Sequence, residues 1–151
     1  MSTIQENIIQ ITRELPPHVK LVAVSKKQDA SRIQQAYDAG QRAFGENYVQ
    51  ELCSKAPALP SDIEWHFIGH LQTNKVKQVV DVATWIHSVD SIKVLNEISR
   101  QAQKAGKNIQ CLLQMHIARE ESKFGFDVNE VEEMMKDLTG NHWPNVNIRG
   151  V

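Results

Sequence analysis

The chain has 151 residues, 41% of them hydrophobic and 23% charged, which fits one globular domain and excludes a disordered protein. Seventeen basic and eighteen acidic residues leave a formal net charge of −1, so the charge balance favours neither nucleic acid nor a membrane as a partner. Two cysteines, Cys53 and Cys111, exclude a disulfide framework, and we expect both to be buried thiols. The lack of a signal-peptide pattern and of an apolar run of ~18 residues favours the cytoplasm.

The first predicted element is a helix, which begins with the capping-box pattern Thr3-x-x-Glu6 and ends at Pro16-Pro17. Residues 20–25 then form a continuous apolar run, typical of a strand buried on both faces of a parallel sheet. Strands and helices alternate from there to the C-terminus. The predicted strands are residues 20–25, 42–45, 63–69, 84–89, 109–117 and 146–151. Five later helices are predicted. The first ends at Gly40, the next two cover residues 47–55 and 72–82, the fourth runs from a cap at Asp90 or Ser91 to Gly106, and the last covers residues 127–138.

This strict alternation implies right-handed crossovers and a parallel sheet covered by helices. The two architectures of that kind are a doubly wound open sheet and a (β/α)8 barrel. No Gly-x-Gly-x-x-Gly follows the first strand, which disfavours a dinucleotide-binding fold. A complete barrel typically needs ~250 residues. The sequence therefore predicts a single α/β domain of the TIM-barrel type that is incomplete, with an N-terminal helix, about five βα units and a sixth strand.

Lys26 is the first candidate for chemistry, because it directly follows the first apolar strand. Barrel enzymes place their reactive groups at the carboxyl ends of the strands. A lysine partly shielded from water there is a nucleophile toward aldehydes, because desolvation disfavours the ammonium form. The alternative is a solvated loop residue like its neighbour Lys27. Position alone leaves both interpretations open.

The segment Phe44-Gly45-Glu46-Asn47-Tyr48 is a second candidate, at the end of the next strand and the start of a helix. The glycine allows a close approach of the backbone, and glutamate and asparagine suit a helix N-terminus. Capping alone explains both polar residues. A site role therefore depends on what surrounds them.

The third predicted strand and the turn after it, residues 65–75, concentrate histidine, amide and amine groups. His66 either faces the barrel interior or is a hydrogen-bonded core histidine. Alternation places it on the face opposite Trp65 and Phe67, which suit packing against helices. His70 is four residues further on, a spacing that joins metal ligands on a helix and not on a strand, so a metal site is not expected. A charged loop, residues 118–126, follows the fifth strand at the same end of the sheet.

Four motifs occur in order along the chain at compatible spacing: Ala23-Val24-Ser25-Lys26, residues 44–51, residues 65–75 and residues 122–125. Together they resemble the pyridoxal phosphate homeostasis protein family, whose fold is similar to the N-terminal barrel of alanine racemase. The resemblance implies that Lys26 forms a Schiff base with pyridoxal 5′-phosphate. It also implies a protein that binds the cofactor and balances the vitamin B6 pool without robust turnover. The further cofactor-binding residues that it implies are Asn47, His66, Gly69, Leu71 and Gln72.

Members of this family continue past a sixth strand into two more, which carry their phosphate-binding turns, so we expect this chain to represent only the N-terminal part. Two alternatives stay open. One is a racemase-like enzyme that uses the same lysine and needs a second acid or base, for which Tyr48 is the only tyrosine near the strand ends. The other is a fragment that binds no cofactor and associates through an open sheet edge.

Overall fold

A computed structural model gives the structure of the chain and describes residues 3–117, 124–136 and 142–151. Six strands form one parallel sheet in the sequential order β1-β2-β3-β4-β5-β6. The strands are β1 (Ala23–Val24), β2 (Ala43–Glu46), β3 (Glu64–Phe67), β4 (Trp85–Val89), β5 (Ile109–Leu113) and β6 (Val146–Gly150). The helices are α1 (Ile4–Glu14), α2 (Ala30–Asp38), α3 (Val49–Lys55), α4 (Val76–Val82), α5 (Ile92–Ala105) and α6 (Val128–Lys136). This is the predicted α/β architecture, the beginning of a barrel.

The helix starts follow from local chemistry. At α1 the Glu6 amide donates to the Thr3 hydroxyl at 3.2 Å and the Thr3 amide donates to the Glu6 carboxylate at 2.7 Å, so the predicted capping box is present. At α5 the Ser91 hydroxyl accepts from the Val94 amide at 3.3 Å. Gly106 ends that helix in the left-handed conformation, with φ of +63°.

The two faces of the sheet have different roles. Large apolar side chains on one face pack against the helices and form the core, and they include Phe44, Trp65, Phe67, Ile86 and Cys111. We call the opposite face the inner face, because it lines the interior when such a sheet closes into a barrel. By strand register the inner face carries Val24, Gly45, Glu64, His66, Trp85 and His87.

Several predicted boundaries were wrong. β1 has two residues where six were predicted, because only Ala23 and Val24 pair with β2. β3 and β5 also end earlier than predicted, and the helix predicted over 72–82 begins as a short 3-10 turn (Thr73–Lys75) before α4. Residues 118–123 and 137–140, which hold parts of the predicted loop and last helix, lie outside the described residues.

The two thiols differ. Cys111 is buried as predicted, and burial raises the pKa of its thiol to about 12. Cys53 is only half-buried, so the prediction of a buried thiol was wrong there. It lies on α3, where its thiol approaches the Gln78 carbonyl of α4 at 3.8 Å.

An α-helix that crosses a bilayer needs about 20 predominantly apolar residues. Among the described helices there is none with that combination of length and composition.

Candidate functional site

Lys26 lies in a tight turn immediately after β1. The Ser25 amide continues the sheet by donating to the Gly45 carbonyl at 2.9 Å, and the Gln28 amide closes the turn on the Ser25 carbonyl at 3.1 Å. Lys27 adopts a positive φ of 58° within this turn. The Lys26 side chain is exposed. The expected shielding of its amine from water is therefore not found, because the six described strands do not enclose the space over the turn.

A partly buried cluster of charged groups lies beneath this turn, on the helix side of the sheet. We call it the Lys55 cluster, and its members are Ser25, Glu46, Glu51 and Lys55. The Lys55 ammonium contacts the Glu46 carboxylate at 2.7 Å, the Glu51 carboxylate at 2.5 Å and the Ser25 carbonyl at 2.9 Å. The Ser25 hydroxyl donates to Glu46 at 2.6 Å. These contacts join β1, β2 and α3 at one point.

Sequence reasoning missed the Lys55 cluster, because it explained Glu46 by helix capping alone. Glu46 is fully buried, and a buried carboxylate needs a counter-charge. The usable signal was the i, i+4 spacing of Glu51 and Lys55 on α3, which puts both side chains on one face of the helix. That helix begins three residues after Glu46, so its lysine was within reach.

Asn47 and Gly69 meet at the ends of β2 and β3. A side chain at Gly69 would overlap the carbonyl group of Asn47, so only glycine permits this approach. The Asn47 side-chain oxygen is buried and has no hydrogen-bond partner among the described residues. A buried acceptor without a partner is costly in a folded protein. It therefore fits a donor on a bound ligand.

The two remaining residues of the predicted turn differ in exposure. Leu71 is 1% exposed and its side chain belongs to the hydrophobic core, because an apolar side chain is more stable among the helices, and its role in binding the cofactor stays a prediction. Gln72 is exposed, and its carbonyl accepts from the Lys75 amide at 2.9 Å. Only the backbone of Leu71 could contact a ligand at this turn.

His66 lies on the inner face, opposite Trp65, as the alternation predicts. Its ring stacks on Trp85 at a centroid distance of 5.4 Å. Both ring nitrogens are engaged, Nε2 with Glu64 at 2.8 Å and Nδ1 with His87 at 2.8 Å. Because a carboxylate only accepts, Nε2 of His66 donates to Glu64 and Nδ1 accepts from His87. His66 is thus 2% exposed and hydrogen-bonded while still facing inward.

Burial also decides the charge of these histidines. It lowers the pKa of His66 to about 4, although the Glu64 carboxylate acts in the opposite direction. It lowers the pKa of His87 as well. Burial acts to raise the pKa of Glu64, but hydrogen bonds from Lys20 and His66 prevail and lower it. At neutral pH the inner face therefore holds two neutral imidazoles beside a Lys20–Glu64 ion pair.

A further histidine, His70, lies near the carboxyl ends of the strands. Its Nδ1 atom is 3.3 Å from the buried Asp90 carboxylate after β4, and its ring contacts Phe124 at a centroid distance of 4.2 Å. Within the described ranges, no three histidine, cysteine, aspartate or glutamate side chains form a metal-binding group.

Comparisons with known proteins identify the family to which the chain belongs. The family described as alanine racemase, N-terminal domain, matches residues 1–151. The pyridoxal phosphate homeostasis protein of Vibrio alginolyticus is 39% identical over 166 residues, which cover all of this chain and 70% of the relative. The Escherichia coli K12 protein of the same name is 33% identical over 165 residues, with the same coverage. The chain belongs to the pyridoxal phosphate homeostasis protein family.

Solved structures of related proteins share the fold of this chain. PipY of Synechococcus elongatus PCC7942 is 38% identical, and the match covers 99% of this chain and 69% of PipY. The TM-score is 0.91 for PipY without PLP and 0.88 for PipY with PLP bound. Alanine racemase from Bartonella henselae, at 18% identity and a TM-score of 0.73, shares the fold over 97% of this chain and 40% of the enzyme. The chain thus spans about 70% of the length of its homeostasis relatives.

Proposed function

We propose that this chain holds pyridoxal 5′-phosphate as a Schiff base on Lys26 and takes part in vitamin B6 homeostasis in the cytoplasm, by binding the cofactor and not by turning over a substrate. The observation that carries the proposal is a lysine on a closely held turn at the carboxyl end of β1, in a chain 38% identical to a protein whose structure contains PLP. The relatives carry the name of homeostasis proteins and not of enzymes.

The described residues fit such a cofactor. The exposed Lys26 amine has no hydrogen-bond or ion-pair partner within the described residues, which leaves it available for covalent attachment. When bound, the cofactor would supply an aldehyde with which the Lys26 amine would form a C=N bond, and the aldehyde oxygen would leave as water. The unpartnered Asn47 oxygen would accept a hydrogen bond from a ring substituent, and Gly69 allows the turn after β3 to lie against the Asn47 backbone.

For His66 we propose an indirect contribution, where the resemblance implies direct binding of the cofactor. Both of its nitrogens are already hydrogen-bonded within the protein. We therefore assign it to holding Trp85 and His87 in place on the inner face. Gln72 is exposed at the turn after β3, so its amide would be available to a bound cofactor.

The test is reductive labelling. Pyridoxal 5′-phosphate is added to the chain, the visible absorbance band is recorded, borohydride reduces the C=N bond and the modified peptide is mapped. We expect the label on Lys26 and loss of the band in Lys26→Ala. The matched control is Lys27→Ala, which removes the adjacent amine and should keep the band. A label on Lys27 or Lys75 would contradict the assignment.

The racemase-like alternative is tested separately. The loaded chain is incubated with L-alanine and assayed for D-alanine, beside Lys26→Ala. We expect equal rates in both samples. D-alanine formation that depends on Lys26 would replace the homeostasis proposal with an enzymatic function.

A further inference from the structure

The turn after β1 presents two adjacent lysines, Lys26 and Lys27, both exposed. Their amines are chemically alike, so an aldehyde has no intrinsic reason to prefer one of them. Selectivity therefore depends on where the backbone directs each side chain relative to the residues that would hold the cofactor. The contacts that fix this backbone can therefore include a residue that determines which lysine reacts with the aldehyde.

Two contacts from α3 hold the turn from below. The Lys55 ammonium donates to the Ser25 carbonyl at 2.9 Å, the same carbonyl that accepts from the Gln28 amide across the turn. The Glu51 carboxylate accepts from the Lys27 amide at 2.8 Å. Lys27 has a positive φ of 58°, a conformation that a residue with a side chain rarely adopts without support from its surroundings.

The charges of the cluster keep Lys55 in this role. Its side chain is 11% exposed, and Glu46 beside it is fully buried. Burial acts to lower the pKa of Lys55, but hydrogen bonds with Glu46 and Glu51 prevail and raise it. Lys55 therefore stays an ammonium ion, which donates hydrogen bonds and cannot attack an aldehyde. Its contribution is to orient the turn.

We propose that Lys55, held between Glu46 and Glu51, is a positioning residue that fixes the turn after β1, so that Lys26 and not Lys27 reacts with the cofactor aldehyde. The selectivity half of this inference rests on the proposed function. The structural half, a turn fastened by the Lys55 cluster, does not depend on any cofactor.

The first experiment measures selectivity. Wild type and Lys55→Met are labelled with pyridoxal 5′-phosphate and borohydride, and the ratio of labelled Lys26 to Lys27 is read by peptide fragmentation. We expect the ratio to fall roughly tenfold in the variant, the factor that corresponds to one lost charge-assisted hydrogen bond. An unchanged ratio in a folded variant would overturn the proposal, because a purely stabilising lysine would not affect the choice of amine.

The matched control is Lys107→Met. Lys107 is another lysine whose ammonium donates to backbone carbonyls, those of Val80 and Asp81 at the opposite end of the sheet. The Lys107→Met variant removes a comparable contact of an ammonium group with backbone carbonyls and leaves the turn unchanged. We expect its labelling ratio to equal that of wild type, and a ratio that fell as far as in Lys55→Met would contradict the inference.

The second experiment needs no aldehyde. Hydrogen exchange of the Lys27 amide is followed in the unliganded chain, in wild type, Lys55→Met, Glu51→Gln and Lys107→Met. We expect exchange to rise roughly tenfold in Lys55→Met, to rise less in Glu51→Gln because its amide oxygen still accepts from Lys27, and to stay unchanged in Lys107→Met. Glu51 is partly exposed, so its variant should fold even if Lys55→Met does not. If Lys55→Met does not fold, Glu51→Gln also takes its place in the labelling experiment.

The two experiments distinguish a failure of the proposed function from a failure of the role of Lys55. If wild type is labelled elsewhere than on Lys26 while the Lys27 amide responds as expected, the proposed function fails and the fastened turn stands. If wild type is labelled on Lys26 but neither the amide nor the ratio responds in the variants, the proposed function stands and the role of Lys55 is overturned.

Discussion

His66 shows how one residue can satisfy two interpretations that sequence reasoning treats as alternatives. The residue faces inward, as a site residue should, and it is also a buried histidine with both nitrogens hydrogen-bonded. The two are compatible because Trp85 stacks on the ring and removes it from solvent on the inner face. The cost of this arrangement is a neutral imidazole that resists protonation.

That resistance predicts a pH dependence of stability. The pKa of His66 is about 4 when folded and about 6.5 when unfolded, so the unfolded chain binds more protons between these values. Stability is then full above pH 6.5 and falls as the pH decreases toward 4. We expect a loss of about 2 kcal/mol from this residue between pH 7.5 and pH 5, measured as the free energy of unfolding in urea.

The comparison that isolates His66 is His66→Gln against His18→Gln, since His18 is exposed. His66→Gln should flatten the dependence between pH 7.5 and 5, with a remainder from His87, whose pKa burial also lowers. His18→Gln should leave it as in wild type. Equal slopes in all three proteins would show that folding does not lower the pKa of His66.

At the scale of elements, the site depends on how the turns after neighbouring strands contact one another. The turn after β1 is joined to β2 and α3 by the Lys55 cluster. The turn after β2 touches the turn after β3 at Asn47 and Gly69. These contacts join turns that lie far apart in the sequence, so a change in one turn is expected to displace the next.

Gly69→Ala tests this coupling. The added methyl group would overlap the Asn47 carbonyl, which is backbone and cannot turn aside. We expect a loss of about 1–3 kcal/mol in the free energy of unfolding and weaker binding of pyridoxal 5′-phosphate in an absorbance titration. The control is Gly106→Ala, where nothing lies within 4 Å of the new group and only the positive φ costs stability, about 1 kcal/mol. Gly69→Ala with unchanged stability and binding would contradict the coupling.

At the scale of the whole molecule, the described sheet has outer edges at β1 and β6, each of which pairs with a described strand on one side only. A parallel sheet with an unpaired edge offers its backbone groups to another chain. The chain also spans about 70% of the length of its homeostasis relatives. We therefore predict that the isolated 151-residue chain self-associates through these edges.

Sedimentation velocity over a range of concentrations measures this association. We expect species larger than the 17.1 kDa monomer, and weaker association in Val24→Lys, because a lysine on an edge strand opposes pairing. Val24 lies on β1 and is 53% exposed. The control is Ile92→Lys, similarly exposed but on α5. A chain that stays monomeric at every concentration would contradict this prediction of self-association.

The sequence by itself determined whatever depends on neighbours along the chain. The capping box at Thr3, the glycine that ends α5 and the order of strands and helices were all predicted, because caps and periodicity are local properties. The family was also recognisable, since its motifs are short segments at the strand ends. Alternation alone placed His66 opposite Trp65.

Only the tertiary structure decided which side chains meet across the strands. The salt bridge between Glu46 and Lys55, the burial of Leu71 and the contact of Gly69 with Asn47 each depend on how two elements pack together. The short β1 and the exposure of Lys26 have the same origin. A strand extends only as far as its neighbour pairs with it, and a side chain is shielded only where other elements cover it. Those distances are set by packing between segments that the linear sequence keeps apart.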